Sequence, residues 1–489
     1  MPLNPSHHRP PLSCLLLSAA LGCAGPAPEQ DSPQQALSCI STPGLPLSLV
    51  KDLQVGRAPR LDSWNQGSWV YMDGAPAPVT LGSTLYFTAI GESTGQEPWR
   101  TDGTPEGTRL VRELLPGNTG GLITGLAAVG GSLFINTETA LSGNTLWKSD
   151  GTPEGTVHFG PREGWKNPGH LTTCNGQLFF QEHAGAATFR GLWKSDGTPE
   201  GTVQLASRPW DFPQLHTSTS FTCAGGTLFF VAFDDAWNLE LWKSDGTAGG
   251  TMRVAALSHV MIPHGDTPAL FAVGSRVFIP AAYGVWTSDG TPEGTTLLHG
   301  EGSPEPLRFA TTPLLVGDML YFIASNGLDR LGLWTSDGTA AGTRMLTELP
   351  SGPPPGLVSL GDTLLFSAGD GVYRSNGTPE STVRLDGLSL RLRSEESARL
   401  PDGRWLITTW EDSGAPSLWV TDGTSAGTTP LQPSEARGFV RSDGLTRHGD
   451  FVVFWADEGI HGMEPWVTDG TPAGTRMLCD IFRTHAAPP

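Results

Sequence analysis

Short apolar runs alternate with glycine-rich and polar punctuation through most of the chain. Between positions 126 and 159, Leu126-Ala-Ala-Val129 meets Gly130-Gly131, Ser132-Leu-Phe-Ile135 returns, and a polar stretch leads to Leu146-Trp147-Lys148. Val157-His-Phe159 then follows an Asp-Gly segment. Gly-Gly between apolar runs signals a tight hairpin, because glycine takes positive φ at little cost. The runs are too short and too alternating for amphipathic helices, so the window predicts four strands. Equivalent returning strands are Leu85-Tyr-Phe87, Leu178-Phe-Phe180, Leu228-Phe-Phe230, Val277-Phe-Ile279, Leu320-Tyr-Phe322, Leu364-Leu-Phe366 and Val452-Val-Phe454.

The pattern has a fixed period. Segments matching Leu146-Trp-Lys-Ser-Asp-Gly-Thr-Pro-Glu-Gly-Thr156 place an acid or amide at Asp102, Asp150, Asp196, Asp245, Asp289, Asp337, Asn376, Asp422 and Asp469, with spacings of 48, 46, 49, 44, 48, 39, 46 and 47 residues. Self-similarity at this length identifies a propeller, solenoid or array, and four short strands per unit select an all-β propeller. Nine blade-like repeats over residues 47–482 are expected. Eight is the alternative count, with the degenerate seventh unit merged into a neighbour. Ser48-Leu-Val-Lys-Asp-Leu53 resembles the segments after the repeated turns, such as Arg109-Leu-Val-Arg-Glu-Leu114, so the N-terminal copy is expected to complete or overlay the last sheet and leave no bare edge.

Composition agrees with strands and turns. Of 489 residues 63 are Gly and 41 Pro, and only 16% are charged. The net charge of -19 repels phosphate backbones, and no basic stripe interrupts it, so nucleic acid is excluded as a partner. Residues 1–23 read as an export signal: His7, His8 and Arg9 precede an apolar core, and small residues lead to Cys23. That ending matches a bacterial lipobox with Cys23 as the lipidated residue, Ala20 being a departure where Leu is commonest. Residues 24–46 are rich in Pro, Ser and Gln and read as a tether, and 483–489 as a tail. Cell-envelope localisation follows, at the outer membrane or cell surface, with membrane contact only through the lipid.

The repeated residues have turn and packing roles. Asp150 can accept from backbone amides, Gly151 suits a left-handed backbone, Pro153 presets φ, and Gly155 finishes the turn. Calcium is the functional alternative for these aspartates, although each turn supplies one constant carboxylate where a hard cation wants six to eight oxygens. Trp99, Trp147, Trp193, Trp242, Trp286, Trp334, Trp419 and Trp466, with Tyr373 in the seventh unit, are expected to pack between blades, and carbohydrate stacking is the alternative. Variable loops mark places for function: Asp234-Asp235-Ala-Trp237 to Glu240, and Asp457, Glu458, His461 and Glu464, weak metal candidates without a second clustered His or Cys. Cys174 and Cys223 occupy corresponding positions in consecutive units and are a candidate disulfide, as is Cys39 with Cys479 across the chain ends.

Glu97-Pro-Trp-Arg-Thr-Asp-Gly-Thr104, Glu240-Leu-Trp-Lys-Ser-Asp-Gly-Thr247 and Glu464-Pro-Trp-Val-Thr-Asp-Gly-Thr471, each followed two residues later by Gly-Thr, resemble the bacterial ELWxxDGT-repeat proteins. The resemblance covers roughly residues 48–482 and implies an exported, surface-associated propeller with no established reaction or catalytic residue. Glu is kept before the aromatic dipeptide in three units only, and the seventh unit has Tyr373, Asn376 and Ser381 in place of Trp, Asp and Gly. There is no Gly-x-Ser-x-Gly elbow, His-Glu-x-x-His helix or phosphate loop, so no catalytic residue is assigned and no cofactor is required. The functional reading is a non-catalytic surface lipoprotein that binds an envelope or extracellular protein. A polysaccharide-binding module is second and a glycan-active enzyme third.

Overall fold

A computed structural model describes residues 53–54, 76–91, 96–115, 122–139, 143–160, 168–183, 189–207, 221–233, 239–257, 269–281, 284–299, 307–325, 330–352, 355–369, 371–410, 416–432, 439, 441–457 and 463–478. The signal region with Cys23, the tether, Cys39, Cys479, Glu458, His461, the 234–238 loop and the tail lie outside the described residues.

The described chain forms nine antiparallel sheets, each with its strands in sequence order. Blade 2 is typical: Leu122–Val129, Ser132–Thr139, Gly143–Ser149 and Val157–His158. The second strand is the middle of the hydrophobic pattern because both its faces are buried. Leu133 and Ile135 pack toward blade 1 and Phe134 toward blade 3. Strands covered on both faces read as continuous apolar runs.

Nine hydrophobic clusters fill nine seams, and every seam receives the third-strand aromatic of the later blade. Trp147 enters the seam between blades 1 and 2, Trp193 the next, and so on to Trp466 between blades 8 and 9. Trp99 joins Leu85, Phe87, Val453, Trp455 and Leu478 between blades 9 and 1, which closes the ring. Blade 7 fills its place with Tyr373, stacked on Phe366 at 5.1 Å. The count is therefore nine, and the seventh unit is a full blade.

Of the N-terminal strand copy at residues 48–53, only Leu53 lies among the described residues. Leu53–Gln54 pairs with Gly91 and Ile90 on the second strand of blade 1, continuing the edge that Val79–Leu81 occupies. The ninth sheet is made of its own four strands, so among the described residues no strand pairs across the seam. Side chains close it instead: Phe87 meets Trp455 edge to face at 5.0 Å, and His448 Nε2 lies 2.8 Å from the Ser83 carbonyl.

A polar clasp repeats beside the aromatics. Lys148 Nζ donates to the Gly197 carbonyl of the next blade at 2.7 Å, as Lys243 Nζ does to Gly290 at 2.7 Å and Arg100 Nη1 to Gly151 at 3.0 Å. These cations follow the seam tryptophan in sequence and bridge to the next Asp-Gly turn. A charged donor to a carbonyl is worth about 1.5–3 kcal/mol. Lys148→Met, which keeps the stem but loses the donor, is expected to lower the thermal midpoint by a few degrees. An unchanged melting curve would assign the clasp no energetic role.

Candidate functional site

Eight of the nine repeated turns share one network of hydrogen bonds. In blade 2, Asp150 Oδ1 accepts from Thr152 N at 2.9 Å and Thr152 Oγ1 at 2.7 Å. The same hydroxyl oxygen accepts from Gly155 N at 2.9 Å, and Thr156 Oγ1 donates to the Thr152 carbonyl at 2.6 Å. Ser149 Oγ accepts from Gly151 N at 2.9 Å and meets Thr156 Oγ1 at 2.7 Å. The bonding recurs at Asp102, Asp196, Asp245, Asp289, Asp337, Asp422 and Asp469. The Thr bonds hold the carboxyls of Asp150, Asp196, Asp245, Asp289 and Asp422 below the usual range. A carboxylate that accepts donors in this way keeps its charged form.

Two residues in this turn have roles beyond the sequence reading. Gly155 closes the turn and is held to glycine by space: a β-carbon there would overlap the Asp150 carboxylate, and the same holds for the matching glycine and aspartate of seven other blades. Ser149, buried and bonded to both Gly151 and Thr156, had no assigned role, although Ser or Thr precedes the Asp or Asn in all nine copies. Gly151 does take positive φ, and it also sits against Tyr86 of blade 1.

Blade 7 solves the same turn differently. Ser381 replaces the crowded glycine, and its hydroxyl oxygen takes over as acceptor from Asn376 N at 3.1 Å, Thr378 N at 3.2 Å and Thr378 Oγ1 at 3.1 Å. The exchange of Asp and Gly for Asn and Ser is compensated inside one turn.

The remaining sequence candidates divide plainly. Cys174 and Cys223 form a disulfide between the first strands of blades 3 and 4, with Cα atoms 5.3 Å apart. Asp457 ends a strand of blade 9 half-buried, and Glu464 is wholly buried on the adjacent strand. Among the described residues no group of three or more His, Cys, Asp or Glu could hold a metal ion. Trp99, Trp334 and Trp466 are buried in their seams, and Trp147, Trp193, Trp242, Trp286 and Trp419 are half-buried in theirs. Glu97, wholly buried, has a structural task the sequence did not reveal: its carboxylate accepts from Leu114 N at 2.6 Å and Leu115 N at 2.9 Å, fixing the chain as it leaves blade 1.

Strand order sorts the ring into two unlike faces. The hairpins between first and second strands and the Asp-Gly turns between third and fourth strands leave the sheets at the same end. The connections between second and third strands, and those between blades, leave at the other end. The strand ends that flank the variable segments of the sequence, 234–238 and 458–462 included, therefore all lie on a single face. The opposite face carries the first hairpins and the Asp-Gly turns, eight of which share one network while blade 7 has its own version.

No protein-family profile matches the chain, and no curated protein matches it. Solved structures similar to it include a puromycin hydrolase, at 15% identity over 74% of this chain and 54% of that one, with a TM-score of 0.37. One structure from a structural and mechanistic analysis of two prolyl endopeptidases matches at 14% identity over 64% of this chain and 49% of that one, with a TM-score of 0.38. The propeller domain of the trilobed protease from Pyrococcus furiosus, titled for its open velcro topology, matches at 12% identity over 75% and 99%, with a TM-score of 0.37. The chain spans about half the length of the first two. The nine-bladed fold rests on the chain's own sheets and seams, and the chemistry of those proteins is theirs.

Proposed function

We propose that the chain is a non-catalytic binding ring of the bacterial cell envelope, anchored by lipid at Cys23, which takes a protein partner on the face opposite the Asp-Gly turns. One observation carries the reading: the strand ends flanking the variable segments all lie on that face, while the other carries the first hairpins and the Asp-Gly turns. Binding residues concentrate where a rigid scaffold presents loops that vary freely. The ELWxxDGT resemblance supports an exported surface protein, and the signal-like first 23 residues support lipid anchoring.

The test is to block one face at a time. A bulky polymer would be attached through an azide-bearing residue at position 138, exposed at the variable end of blade 2, or at position 154, exposed in the Asp-Gly turn. The protein from Ala24 onward would then be used to capture partners from solubilised envelope, with and without calcium. Capture of one specific protein, abolished by the block at 138 and kept with the block at 154, is expected. The reverse pattern would overturn the face assignment. Loss of capture on calcium removal would return the aspartates to a metal role.

A further inference from the structure

We infer that blade 8 carries a sugar-binding subsite, with the indole of Trp410 as platform and Arg391 as donor to the bound ring. The inference goes beyond the protein-partner reading and does not depend on it.

Trp410 is the exception among the tryptophans. Of those in the described residues it alone is exposed, at 41%, whereas the seam tryptophans are shielded by neighbouring blades. It is the last residue of the strand Trp405–Trp410 and so stands at the variable face. Leaving an indole in water forgoes the stabilisation that burying a large apolar side chain brings, so its surroundings bear on what covers it.

Those surroundings are built. The inner strand Arg391–Arg399 breaks register between Leu392 and Ser397, and the residues looped out place the Arg393 guanidinium 4.8 Å from the centroid of the Trp410 ring. Arg393 is fixed in turn: Nη1 donates to the Ser442 carbonyl of blade 9 at 2.7 Å, and Nη2 lies 3.3 Å from Glu396 Oε1. Glu396 Oε2 accepts from Thr408 Oγ1 at 2.8 Å. The stacked guanidinium therefore holds the indole in one orientation, and a preorganised ring loses little entropy when a ligand lands on it.

Arg391 lies directly across the strand pair from Trp410, on the same side of the sheet, and is exposed with no ion pair to any described residue. An indole beside a free guanidinium suits a ligand with one apolar face and a rim of oxygen acceptors. A pyranose ring has that form: its C–H face stacks on the indole while hydroxyl or carboxylate oxygens accept from the guanidinium. An anionic sugar would gain a charge-assisted hydrogen bond from the Arg391 guanidinium.

Affinity electrophoresis of the protein from Ala24 onward, through gels containing polygalacturonate or a neutral β-glucan, tests the subsite. Retardation in at least one gel is expected. Trp410→Ala should weaken it up to about tenfold, and Trp410→Phe should restore most of it, as one aromatic contact allows. Arg391→Ala should weaken polygalacturonate more than the glucan and flatten its salt dependence. Because Trp410 is exposed, its variants are expected to melt like the parent. The proposal is overturned if neither gel retards the protein, or if retardation survives Trp410→Ala. It is equally overturned if Trp410→Ala abolishes capture of an envelope protein and leaves retardation unchanged.

Discussion

Gly155→Ser is expected to lower the unfolding free energy by about 2–4 kcal/mol, and Asp150→Asn in the same chain to recover most of that loss. The single change pushes a side chain into the space of the Asp150 carboxylate, which already bonds Thr152 through both its amide and its hydroxyl. Overpacking costs about 1–3 kcal/mol and each displaced hydrogen bond about 1 kcal/mol. The double change imports the pairing of blade 7, where Ser381 supplies the acceptor and an Asn stands in place of the charged Asp. A double-mutant cycle read from denaturant midpoints isolates the coupling, since two groups sharing one site interact strongly. The reciprocal change, Asn376→Asp, should be tolerated only together with Ser381→Gly. If Gly155→Ser is as damaging in the Asp150→Asn background as in the parent, the Asn-Ser pair of blade 7 is not a compensated exchange.

That turn also shows how far the sequence could be read. Period, strand number and the seam aromatics were legible because each recurs in every unit and each answers a local demand: a hairpin needs positive φ, and a blade must bury both faces. The acceptor role of the aspartate was legible for the same reason. What escaped were contacts between residues whose partnership depends on the folded path. Gly155 reads as an ordinary turn glycine until the Asp150 carboxylate is placed over it. Ser149 reads as a strand end until Thr156 is seen returning beside it.

The two-faced character of the ring needs only the strand order, yet it changes where function is sought. The repeated turns attract attention by repetition, but repetition follows from a shared structural task. Their first glycines seat against side chains of the preceding blade, as Gly197 does on Phe134 and Gly290 on Phe229. These turns are therefore bound into the seams and have little freedom to diverge for a ligand. Trp410 and Arg391 stand at the other end, in a strand pair whose register is broken rather than regular.

Glu97 should make the stability of the ring fall as pH rises from about 5 to 8. Burial pushes its carboxyl up to about 7, against the two amide donors of Leu114 and Leu115, and the charge of Glu113 adds to the rise. The folded form then holds a proton that the unfolded chain releases near 4.5. The stabilisation is fully present below the unfolded value and is lost as pH passes through the folded one, a change on the order of 3 kcal/mol. His170, whose pKa burial lowers, contributes a slope of opposite sign, but it is common to parent and variant and cancels in their difference. Glu97→Gln removes the titration and keeps one acceptor for the two amides, so it should be less stable than the parent at pH 5, where the carboxyl is protonated and well satisfied. At pH 8 the parent must bury a charge, and the gap should close or reverse. Thermal midpoints of the two proteins plotted against pH should therefore converge or cross near neutrality. Parallel curves over that range would mean that the two amides hold Glu97 ionised throughout, and that it acts as a permanently charged cap rather than a titrating one.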